Sequence, residues 1–179
     1  MSDTAETAGA TSRIRIRALR VNDVPLANEL RRLAHWNQTE ADWKGYLEYE
    51  PDGCFVAEVE GTPVGTATTI RYENRVGWIG MVLVHPEWRG RGVGTRLLHH
   101  AIGYLESRDV RCIKLDATPM GRKSYVPLGF CDEYSVARYE GTAPKKTSSD
   151  GAGFTFAAVT LEQFATFDSA AFGAERTAV

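Results

Sequence analysis

Apolar and polar residues alternate at "IRIRAL" (14–19), the spacing of a half-buried strand. "NDVPLANELRRLA" then carries apolar residues at helical spacing, with Asn22 as the expected cap. Alternation returns at "CFVAEVEG" (54–61) and "TPVGTATTIRYENR" (62–75), predicting two strands that close on turns. "VGWIGMVLV" (76–84) is almost wholly apolar, as a central strand buried on both faces should be. In "GVGTRLLHHAIGYLESR", Val93, Leu97, Ala101 and Leu105 recur every four residues and form one helical stripe. "VRCIKLDAT" (110–118) predicts a further strand, and "PMGRKSYVPL" (119–128) a short helix opened by Pro119. "CDEYSVARYE" (131–140) predicts the last clear strand. The order implies an α/β (α+β) domain with at least one strand–helix–strand crossover between residues 76 and 118.

The flanks differ in character. Residues 1–12 are polar and acidic, with no apolar core of a secretory signal, and are expected to form a disordered tail. "GTAPKKTSSDGAG" (141–153) reads as a linker after a domain at 13–140. Within 154–179, "TLEQ" has the spacing of a capping box that opens a helix. The 179 residues carry a formal charge of -2 and no dense Lys/Arg run, which argues against a nucleic-acid partner. The apolar runs are too short for a membrane span, and the three scattered cysteines read as buried free thiols of a cytoplasmic protein.

Chemistry concentrates at "HPEWRGRGVG" (85–94), between the apolar strand and the long helix. A glycine-rich turn there gathers free backbone N–H groups at the positive end of a helix, an arrangement suited to phosphate. The P-loop pattern is absent, and glycines at 90, 92 and 94 do not match the dinucleotide fingerprint. Nor do His35, His85, His99 and His100 have metal-ligand spacing, so no metal is expected.

"VLVHPEWRGRGVGTRLL" resembles the acyl-CoA-binding motif of the GNAT superfamily of N-acetyltransferases, with Val84, Pro86, Arg89, Gly92 and Gly94 at its positions. "LDATPMGRKSYVPLGF" resembles the later motif of that family, through Tyr125, Leu128, Gly129 and Phe130. The resemblance spans about residues 13–140. It also extends to a bacterial subgroup, some members of which carry a second C-terminal domain, whose start "LEQFATFDSAAFGAER" resembles. It implies a mixed, mostly antiparallel sheet of about six or seven strands flanked by helices, with central strands that splay after a bulge. It implies acetyl-CoA as co-substrate, with pantetheine beside Val82, Leu83 and Val84, and pyrophosphate near Arg89, Gly90, Arg91, Gly92, Val93, Gly94 and Thr95. It further implies Tyr125 as the acid that protonates the leaving thiolate. Many relatives place a basic carboxylate on the strand before the loop, and "VGWIGMVLV" has none. Glu73, Asp116 and a bound-water relay stay open as the base, and a turn or cap role stays open for Asp116. Trp36, Asn37, Gln38 and Trp78 are expected to line the acceptor site, although "WNQT" also reads as a helix cap by Thr39. The function implied is acetyl transfer to a primary amine of a small molecule or protein, by direct attack in a ternary complex. A non-catalytic acyl-CoA-binding module and transfer to a hydroxyl stay open, as does a homodimer.

Overall fold

Five strands form the sheet in the computed structural model, which describes residues 14–137, 139–142 and 158–177. They are β1 (Ile14–Ala18), β2 (Cys54–Val59), β3 (Thr62–Tyr72), β4 (Val76–Val84) and β5 (Cys112–Leu115), adjacent in chain order. The first three pairings are antiparallel, and β4 pairs with β5 in parallel. The crossover between those two is helix α3 (Val93–Glu106), numbered after α1 (Val24–Leu33) and α2 (Glu40–Tyr49). Two more helices follow, α4 (Pro119–Tyr125) and α5 (Leu161–Phe172).

Strand periodicity decides which helix covers which face. Phe55 and Ala57 of β2 pack with Leu97, Leu98 and Leu105 of α3, whereas Cys54 and Val56 pack with Leu30 of α1 and Trp43 of α2. Val93, Leu97, Leu98 and Leu105 are all at most 1% exposed. At roughly 1.5–3 kcal/mol per buried aliphatic side chain, this stripe fixes the start of α3 against β4. A buried carboxylate ties the layers together: Glu50 accepts two hydrogen bonds from Arg71 at 2.9 and 3.1 Å and one from the Tyr104 hydroxyl at 2.6 Å.

β4 changes phase halfway. Thr66 and Thr68 of β3 lie opposite Leu83 and Gly80, so two steps on β3 match three on β4. The surplus falls at Met81, whose φ of 50° is the left-handed conformation of a bulge. Before it, Gly77 and Ile79 face α3; after it, Val82 and Val84 lie on that side while Met81 and Leu83 pack with α1 and α2. Pairing with β5 stops at Ile79–Leu115. From Gly80 onward, β4 has no strand on that side among the described residues. The splay expected of the central strands is thus present.

Three expectations are corrected. Residues 131–137 and 139–140 form no strand, so the described sheet has five strands rather than six or seven. Side-chain pairs hold this segment instead, Lys114–Glu133 at 2.8 Å and Arg122–Asp132 at 2.7 Å, while Tyr134, Val136 and Tyr139 stay exposed. Alternation alone gives no ladder where the apolar side has no layer to cover it. The N-terminal cap of α1 falls at Asp23 rather than Asn22, because residues 21–23 form a 3-10 turn of their own, closed by the Asp23 carboxylate accepting from the Arg20 backbone N–H at 2.8 Å. Of the thiols, only Cys54 is buried; Cys112 is half-buried and Cys131 exposed. The expected tail (1–12) and nearly all of the expected linker lie outside the described residues. The capping box at "TLEQ" is formed: Thr160 N–H donates to Gln163 Oε1 at 3.0 Å, and Gln163 N–H to Thr160 Oγ1 at 3.2 Å. No helix among the described residues is long and apolar enough to cross a membrane.

Candidate active site

The glycine turn lies directly beyond the bulged half of β4. Pro86–Trp88 make a single 3-10 turn, and Gly90 and Gly92 then take φ of 73° and 81°, a region in which other residues are strained. Gly92 caps α3 and its carbonyl accepts from Arg96 N–H at 3.0 Å. The N–H groups of Val93, Gly94 and Thr95 belong to the first turn, where a helix has no partner to offer them. A Cβ built on Gly90 or Gly92 would meet no atom within 4 Å. The glycines therefore serve backbone conformation and leave open space over the helix end, where an anion can reach the backbone N–H groups. Val93 is buried, so only its backbone faces that space.

The arginines divide their work. Arg89 Nε donates to the Val84 carbonyl at 3.0 Å, bracing the turn against the end of β4. Arg91 lies over the Trp88 ring at 4.9 Å, which holds its guanidinium beside the turn.

Along β5 a cavity of about 1000 Å³ opens, to which β4 contributes Trp78. Leu115, Asp116 and Ala117 line it at the end of β5, with Tyr125, Phe130 and Trp78. Tyr125 is half-buried, in an edge contact with Phe130 at 6.1 Å, and burial pushes its phenol above the ordinary value. It therefore holds its proton through neutral pH. Asp116 is exposed to the cavity and does not cap α4; that cap is Thr118, whose Oγ1 accepts from Gly121 N–H at 3.1 Å. Asp132 and Glu133 also line the cavity but are engaged by Arg122 and Lys114. Glu73 sits exposed in the β3–β4 turn, outside the cavity lining.

The expected acceptor residues are not all brought together. Trp78 lines the cavity, whereas Trp36, Asn37 and Gln38 form the α1–α2 loop. Trp36 packs into the α1–α2 cluster, and Gln38 Oε1 is buried without a partner among the described residues. Thr39 caps α2, donating from its backbone and hydroxyl to Asp42 at 2.5 and 2.7 Å. A contact that the sequence did not reveal comes from α5: Phe172 lies 6.3 Å from the Trp78 ring and 4.9 Å from Tyr72, outside the cavity lining. Arg176 stacks on Phe172 at 4.3 Å and pairs with Asp168 at 2.6 Å. Nothing local signals a contact between residues so distant in the chain. Among the described residues, no group of three or more His, Cys, Asp or Glu side chains is gathered to hold a metal.

A strand that bulges and parts from its neighbour, followed by a glycine turn at a helix start, defines an acyl-CoA-binding acetyltransferase architecture. The chain belongs to the acetyltransferase (GNAT) family, whose model matches residues 23–130. It is 24% identical over 154 residues to the holothin acyltransferase of Pseudoalteromonas sp. (strain SANK 73390), covering 86% of this chain and 51% of the relative. The chain thus spans about half the length of that relative. A putative acetyltransferase of Pyrococcus horikoshii has a similar structure, at TM-score 0.62 and 26% identity, over 72% of this chain and 50% of that one. An aminoglycoside N-acetyltransferase solved in complex with CoA shares the fold at TM-score 0.59 and 20% identity, over 73% of this chain and 95% of that one.

Proposed function

We propose that this protein transfers an acetyl group from acetyl-CoA to a primary amine by direct attack within a ternary complex. The observation that supports it most is that one apolar cluster holds Val82 and Val84 of β4, Val93 at the start of α3 and Tyr125. β4 loses its β5 partner after Ile79, the glycine turn opens over α3, and Tyr125 and Asp116 line the cavity beside β5. In this reading the turn's N–H groups hold the pyrophosphate, and the bare edge of β4 from Val82 to Val84 pairs with the amides of pantetheine as an added strand would. Tyr125 keeps a proton for the thiolate that leaves CoA. Asp116, at the end of β5, takes the proton released by the amine; Asp132 and Glu133 are held in ion pairs, Glu73 is elsewhere, and Glu106 of α3 also lines the cavity. Trp78, in contact with Phe172, bounds the acceptor.

The test is release of free CoA thiol from acetyl-CoA against a panel of primary amines. Holothin and an aminoglycoside, named for two of the similar proteins, belong in that panel. Amine-dependent thiol release is the expected result. The absence of a carboxylate on β4 favours a second reading, a non-catalytic acyl-CoA-binding module. Tight CoA binding with no amine-dependent release from any acceptor would establish that reading instead.

A further inference from the structure

Thr66 of β3 is fully buried, and its Oγ1 donates to the carbonyl oxygen of Met81 at 2.9 Å. That carbonyl belongs to the bulge residue of β4, in the left-handed conformation at φ of 50°. The register between the strands breaks at this place, between Thr66 and Thr68. A surplus residue leaves its peptide group out of the regular ladder, and a buried carbonyl without a donor costs about 1–3 kcal/mol. The threonine hydroxyl supplies that carbonyl with a side-chain donor at the break in the ladder. It does so from a strand interior packed on both faces, where the methyl and hydroxyl have one preferred rotamer to adopt.

We infer that Thr66 is a positioning residue for acyl-CoA: its hydroxyl locks the Met81 bulge and so sets the direction in which the free edge of β4 meets pantetheine. The inference rests on the reading that this edge binds the pantetheine arm. It concerns one half of the ligand only. The glycine turn lies beyond Val84 and is braced separately, by Arg89 on the Val84 carbonyl at 3.0 Å. Thr66 therefore governs the pantetheine half and leaves the nucleotide half alone.

Thr66→Val keeps the shape and removes the hydroxyl. Titration calorimetry on the full chain would use two probes, CoA and adenosine 3′-phosphate 5′-diphosphate, the latter being the nucleotide half, pyrophosphate included, without pantetheine. Thr66→Val should weaken CoA roughly tenfold, the worth of about one net hydrogen bond, and leave adenosine 3′-phosphate 5′-diphosphate unchanged. Thr66→Ser should restore CoA binding to near the parent value. If Thr66→Val does not fold, Thr66→Ala serves in its place, with a thermal melt recorded for each variant. Equal weakening of both probes, or no change in either, would overturn the inference, because the first marks a general loss of structure and the second an idle hydroxyl. A parent protein that binds neither probe would instead overturn the functional reading itself.

Discussion

Tyr125 is the residue whose chemistry is most directly exposed to test. Its ring packs against Phe130, and the residue lines the cavity beside β5. Tyr125→Phe keeps the packed ring and removes the proton donor, so melting temperature and CoA affinity should stay near the parent values. Turnover should fall by roughly 10²- to 10⁴-fold, the range of a positioned general acid. A fall in kcat at unchanged CoA affinity puts the loss in the transition state. Near-normal turnover in steady-state kinetics would reduce Tyr125 to a core aromatic. Gly92 illustrates what a sequence does and does not disclose at this scale. Its spacing in "RGRGVG" announced a backbone role, and φ of 81° bears that out. The bond from Thr66 to Met81 was silent, because threonines are ordinary in strands and a bulge has no local signature without the partner strand.

Among the elements, α3 and β4 together carry the proposed binding site. Gly92→Asp would meet no steric obstacle, since a Cβ there has no neighbour within 4 Å. Two other effects remain. A non-glycine residue in the left-handed region costs on the order of 1–2 kcal/mol, and a carboxylate placed at the open helix end repels a pyrophosphate. The second dominates binding, so the variant should fold, with a modestly lowered melting temperature, and give no calorimetric heat with millimolar CoA. Unchanged affinity in a folded variant would remove the turn from the binding site. The strands and α3 were legible because each buries a periodic face against a layer next to it in the chain. The 131–140 segment misled because its alternation matches a strand while its apolar side has nothing to rest on. The placing of α5 on Trp78 was illegible for a different reason: tertiary contact across such a separation leaves no mark on local spacing.

At the scale of the whole molecule, burial sets an alkaline limit. Desolvation pushes the Cys54 thiol from 9.0 to about 12. Burial, aided by its bond to Glu50, pushes the Tyr104 phenol from 10.0 to about 12. In both, the folded state holds its proton more tightly than the unfolded chain. Their contribution to stability is complete below the ordinary values and is lost as pH rises through about 12. Melting temperature should therefore fall steadily over that alkaline window, and Cys54→Ala should make the fall shallower. A melting curve flat from pH 9 to 12 in the parent would contradict the assignment.

Met81 has a consequence for how such a protein came to bind anything. By the register count it is an insertion of one amino acid into an otherwise regular ribbon. Without it, Ile79, Val82 and Val84 would still point toward α3, and Gly80 and Leu83 toward α1 and α2, so the inside-outside code of the domain would be intact. A chain with that single codon deleted loses one buried side chain, about 2–5 kcal/mol, and recovers part of it from the relieved φ. It should fold, by circular dichroism, into an unkinked sheet that no longer takes up CoA; uptake at the parent level would show the surplus residue to be dispensable. Foldability and ligand capture would then be separable at a single codon.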